Sequence, residues 1–134
     1  FGVMHIVFNM MWLFQIGSMI EAVHGSGRFL LMVAVLAVLT NLAEYSLHSH
    51  FWVWKFGGMS GVNYGLFGYV WIRGKFDPAS LLHIDKTSVI MAIAWFFLCY
   101  TSLLGPIANY AHAAGLVVGM AWGWISAQIA VRSE

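Results

Sequence analysis

Of 134 residues, apolar types make up 61% and charged types only 8%, and the formal net charge is +1 at pH 7. Soluble domains carry about a quarter charged residues, so a mean hydropathy of +0.81 excludes an ordinary soluble domain and predicts an all-α, polytopic membrane bundle. The near-neutral charge argues against a nucleic-acid partner, and the single cysteine, Cys99, excludes an internal disulfide.

Five membrane spans can be drawn in chain order. The first runs from about Val3 to Val23 and carries His5, Asn9, Gln15 and Glu21. Phe1 is not an initiating methionine and the chain opens inside a helical pattern, so a missing N-terminal part with a further span is expected. No signal peptide is visible. His24-Gly25-Ser26-Gly27 reads as a turn, with Glu21 expected to cap it or bond toward Ser26. The second span covers about Arg28 to Leu47, with Asn41 and Glu44 in its later half. Nothing in the spacing of Glu44 assigns it a role. Ser46 to Gly58 is a loop with Phe51, Trp52 and Trp54, aromatic types that favour a membrane interface.

Next comes Phe56-Gly57-Gly58-Met59-Ser60-Gly61, a glycine-rich entry to a third span predicted over Ser60–Ile72. Thirteen residues rise only about 20 Å, short of a hydrocarbon core of about 30 Å. The start of this helix is therefore expected below the surface, in a wet recess where irregular backbone is tolerated. A loop broken by Asp77-Pro78 leads to a fourth span over Lys86–Leu104, and Gly105-Pro106 turns into a fifth over Ala108–Val131. Basic residues set the orientation. Arg28, Arg73, Lys75, Lys86 and Arg132 fall on one side and Lys55 alone on the other, which predicts a cytoplasmic C-terminus.

The first, third and fifth spans all begin on the outer side. His5 and Asn9, Ser60, and His112 therefore share one layer on three helices. The serine of a GxSG stretch is also what a helix N-cap looks like, and a single histidine in a membrane helix is commonly structural. Polar groups converging inside a membrane, however, mark function. Gly61, Gly65 and Gly68 on the third helix, and Ala111, Gly115, Gly119 and Gly123 on the fifth, form small faces that allow backbones to approach closely. That approach is what a Ser60–His112 hydrogen bond needs. A serine is a weak nucleophile until a base takes its proton, and His112 can serve as that base. His5 and Asn9 lie four apart on one helix face and can donate to an oxyanion, as can the backbone around Gly58 to Ser60. Tyr64, one turn below Ser60, can hold the His112 ring. No triad acid is evident, so a dyad is the simpler reading.

The stretches HIVFNMMWL, EAVHGSGRFL, FGGMSGVNYGLFGYVWIRG and ANYAHAAGLVVG resemble the rhomboid intramembrane serine proteases, and within them the bacterial GlpG type. The resemblance covers essentially the whole chain, although Val23 stands where the family often has an arginine. It implies a rhomboid-like bundle, with six helices in the full protein and five here. Ser60 would be the nucleophile and His112 the base. His5, Asn9 and Ser60 would line the oxyanion hole, Gly58 would shape the loop, and Tyr64 would stack on His112. It further implies single-span membrane proteins as substrates, cleaved in or near the spanning segment, with entry at the uncharged fourth helix and the Gly105–Asn109 turn. Neither metal nor cofactor is expected. The location implied is a bacterial inner membrane, with the site facing outward. Two alternatives stand beside it. One is a rhomboid-like protein that binds membrane clients without cutting them. The other is a haem- or metal-binding membrane protein using His5, His112 and His48 or His50.

Overall fold

The computed structural model describes residues 2–47, 58–101, 103 and 107–132. Its helices are α1 (Val3–His24), α2 (Ser26–Leu47), α3 (Met59–Phe76), α4 (Lys86–Leu98) and α5 (Asn109–Val131), with a 3-10 turn at Pro78–Ser80. The protein is thus all-helical among the described residues, and α1, α2 and α5 are each long and apolar enough to cross a membrane.

Helix α3 is the axis of the bundle. Every residue from Gly61 to Val70 is buried, and α5, α2 and α1 pack around it. The surrounding helices turn large apolar side chains such as Val3, Phe14, Leu30, Val117 and Ile129 outward, as expected where lipid is the solvent. The buried residues of α2 are Met32, Leu36, Thr40 and Glu44. They are spaced by four, so they form one stripe along the helix. Leu36 of that stripe fills the space at Gly65, and Thr40 the space at Gly61. The predicted small face of α5 is also present. A side chain at Gly115 would collide with the Gly61 carbonyl oxygen, and one at Gly119 with the Gly65 carbonyl oxygen. The two backbones are therefore in direct contact.

Three boundaries differ from the sequence expectation. The turn between the first two spans shrinks to Gly25, which takes φ 80°, while Ser26 and Gly27 already belong to α2. Glu21 meets this turn through its backbone, its carbonyl accepting the Gly25 N–H at 2.7 Å, and its side chain is exposed. Helix α3 runs to Phe76 and has 18 residues, about 27 Å at 1.5 Å per residue. Arg73 was expected outside it. Instead Arg73 pairs with Asp77 one turn on, at 2.6 Å, and Pro78 then prevents continuation. Helix length therefore falls only about 3 Å short of a hydrocarbon core of about 30 Å, where a 13-residue span would fall about 10 Å short. Helix α4 stops at Leu98 rather than Leu104. Beyond it the Thr101 hydroxyl donates back to the Leu98 carbonyl at 2.7 Å, and the Tyr100 hydroxyl donates to the Asn109 carbonyl at 3.2 Å. His48 and His50, and most of the aromatic loop, lie outside the described residues.

Asp85 is the N-cap of α4. Its carboxylate accepts the Ser88 N–H at 2.9 Å and the Ser88 hydroxyl at 2.6 Å. These bonds favour the charged form and hold the carboxyl below its ordinary value of 3.8. A depressed carboxyl stabilises the fold above its unfolded pKa, and that contribution is lost as pH falls through the folded value. Asp85→Ala is therefore expected to lower the thermal midpoint at neutral pH. The gap from the parent should close as pH drops below about 3.8. Parallel unfolding curves across pH check this.

Candidate active site

The loop before α3 ends at Gly58, with φ 157° and ψ 166°, a region that residues with a side chain rarely enter. A Cβ built there would stand 3.9 Å from both His5 Cε1 and Ser60 Oγ. Gly58 thus lies between the first turn of α1 and the serine. Ser60 is the second residue of α3, and His112 is the fourth residue of α5. Their side chains meet at 2.8 Å between Oγ and Nε2. The closeness follows from packing one residue away on each helix, where Gly61 meets the Ala111 carbonyl.

His112 is 3% exposed. For Nε2 to accept the serine proton, the ring hydrogen must sit on Nδ1. That atom has no hydrogen-bond partner among the described residues, so no described carboxylate completes a triad on the ring. Tyr64 lies against the imidazole with ring centroids 4.9 Å apart, tilted by 44°. The contact expected from sequence is therefore present, tilted rather than parallel. Tyr64 also reaches α4, its hydroxyl donating to the Ala92 carbonyl at 3.3 Å and its ring meeting Phe96 edge-on at 5.5 Å.

Asn9 is bonded at both ends of its amide, with one of its two Nδ2 hydrogens used by the bond to His5. Its Nδ2 donates to the His5 carbonyl at 2.7 Å, and its Oδ1 accepts from Asn63 Nδ2 at 3.1 Å. Asn63 also reaches the Asn9 carbonyl at 3.0 Å, tying α1 to α3. Two contributors to the site escaped the sequence reading. Asn63 sits three residues after Ser60, which puts it near the same helix face. Glu44 ends the four-residue stripe of α2, and its Oε2 accepts the Ala111 N–H at 2.9 Å. Spacing from Met32, Leu36 and Thr40 was the signal available for it.

A hydroxyl within hydrogen-bond reach of a buried imidazole can lose its proton to that ring as it attacks. Across residues 1–129 the chain matches the family model of the Rhomboid domain. The chain belongs to the rhomboid family. The match takes in all of α1 to α4 and most of α5, hence every residue placed above. As a rhomboid with three long apolar helices, the protein is integral to a membrane. Rhomboids are commonly intramembrane proteases, and some members are inactive.

Proposed function

We propose that this rhomboid is a serine endopeptidase that cleaves single-span membrane proteins in or near their spanning segments. The observation that carries the reading is the 2.8 Å contact between Ser60 Oγ and His112 Nε2. Ser60 Oγ attacks the peptide carbonyl carbon while His112 Nε2 takes its proton. The tetrahedral intermediate collapses as the protonated imidazole gives that proton to the leaving amine and the C–N bond breaks. A water, deprotonated by the same nitrogen, then attacks the acyl carbon, and the imidazole returns the proton to Ser60 Oγ as the Oγ–C bond breaks. The oxyanion is held by the Ser60 N–H together with His5 and Asn9. Gly58 keeps the loop clear for it, and Tyr64 steadies the base. The presence of both serine and histidine favours this over a client-binding role without cleavage. The basic residues named above support a site open to the outer side and a cytoplasmic C-terminus. Substrate entry along α4 is supported by its single buried residue, Ala92.

The test is reconstitution in liposomes with a panel of single-span proteins, with cut sites read by mass spectrometry and Ser60→Ala as control. For Asn9→Ala, the loss of one oxyanion donor among several is expected to lower kcat by about 10²-fold. An unchanged kcat would remove Asn9 from the site.

A further inference from the structure

Glu44 is 1% exposed on a helix whose other buried residues are Met32, Leu36 and Thr40. A carboxylate buried in a membrane bundle is costly unless something holds it. One group that holds it is the Ala111 N–H, 2.9 Å from Oε2. Ala111 is the third residue of α5, so its N–H is one of the groups a helix start leaves without an intrahelical partner. The N-cap residue Ala108 supplies no side-chain cap. Glu44 thus caps α5 from another helix, where negative charge is also favoured by the helix dipole.

Ala111 is held from the other side as well. A Cβ at Gly61 would lie 3.0 Å from both the Ala111 carbonyl oxygen and Thr40 Cβ. The residue before His112 is therefore clamped between α2 and α3. The imidazole itself has Tyr64 against it but no described partner on Nδ1. Its approach to Ser60 is thus set largely by where the first turn of α5 is fixed. In a triad a carboxylate orients the base by bonding its ring. Here the carboxylate bonds the backbone one residue away.

We infer that Glu44 is a positioning residue for the base, holding the first turn of α5 so that His112 Nε2 meets Ser60 Oγ. This rests on the Ser60–His112 pair being the reacting pair proposed above. The test measures, on the purified full chain, the rate of Ser60 labelling by a fluorophosphonate, which reads hydroxyl activation without substrate docking. Alongside it are kcat and KM for a single-span substrate, and the thermal midpoint. Glu44→Gln keeps an acceptor oxygen and should stay within about threefold of the parent, whereas Glu44→Ala should label and turn over about thirtyfold slower, in kcat with KM retained. Leu36→Ala, two turns back on the same stripe, should lower the midpoint at least as far while labelling at the parent rate. If Glu44→Ala does not fold, Glu44→Asp replaces it, drawing the carboxylate back by one methylene, and should also label more slowly than the parent. Parent-like labelling by Glu44→Ala, or by Glu44→Asp in its place, overturns the inference. So does an equal slowing in Leu36→Ala or in Glu44→Gln. A parent chain that does not label at all removes the protease reading and this inference together. A parent that labels beside an equally fast Glu44→Ala removes this inference alone.

Discussion

Ser60→Ala and His112→Ala are each expected to lower cleavage of a single-span substrate by about 10³-fold or more, and the double variant to be no slower than either alone. The equality follows from the contact between them. One hydroxyl and one ring nitrogen share one proton path at 2.8 Å, so removing either end removes the whole function of the pair. What remains is rate from bound substrate and oxyanion donors, which neither variant touches directly. Both proteins should remain folded. Ser60→Ala gives up one hydrogen bond, with a net effect of about 1 kcal/mol. His112→Ala empties a site walled by Tyr64, which is itself held by Phe96 and the Ala92 carbonyl. Cleavage kinetics beside thermal midpoints in detergent check both halves. Cleavage surviving in Ser60→Ala would end the protease reading.

Gly119→Leu is expected to have the largest effect on stability. A side chain at Gly119 has no space, because its first carbon would land on the Gly65 carbonyl oxygen. That atom is backbone in the middle of a buried helix, so it cannot rotate aside, and the whole α3–α5 pair must separate. Overpacking in a core ordinarily costs about 1–3 kcal/mol, and a backbone clash belongs at or beyond the upper end. Separation would also move the start of α5 away from Ser60, so activity should fall with stability. Gly27→Ala is the control. A methyl group at Gly27 would meet nothing within 4 Å, and the position lies in the first turn of α2, so the change should be neutral or slightly stabilising. A Gly119→Leu protein with the parent's midpoint would show that the two helices are not packed this tightly.

Hydropathy located α1, α2 and α5 to within a few residues, because lipid-facing helices must be apolar along their length. It failed where a helix end is decided by hydrogen bonds. Arg73 looked like the membrane limit of α3, yet its partner Asp77 carries the helix another turn before Pro78 stops it. The apolar run after Leu98 looked like helix, yet hydropathy does not distinguish apolar helix from apolar turn. Placing Ser60, His112, His5 and Asn9 in one layer needed only the direction of each span. The bonding of Asn9 to Asn63, and of Glu44 to Ala111, could not be read in the same way. Each partner sits on another helix, and spacing within a helix carries no information about the element facing it.

Ser60 stands at the start of α3 and His112 at the start of α5, with α4 and its flanking loops between them. During synthesis, a chain that has released α3 but not α5 contains the hydroxyl without its imidazole. If Ser60 and His112 react as proposed, dividing them between non-consecutive helices keeps the nascent protein latent until α5 is in place.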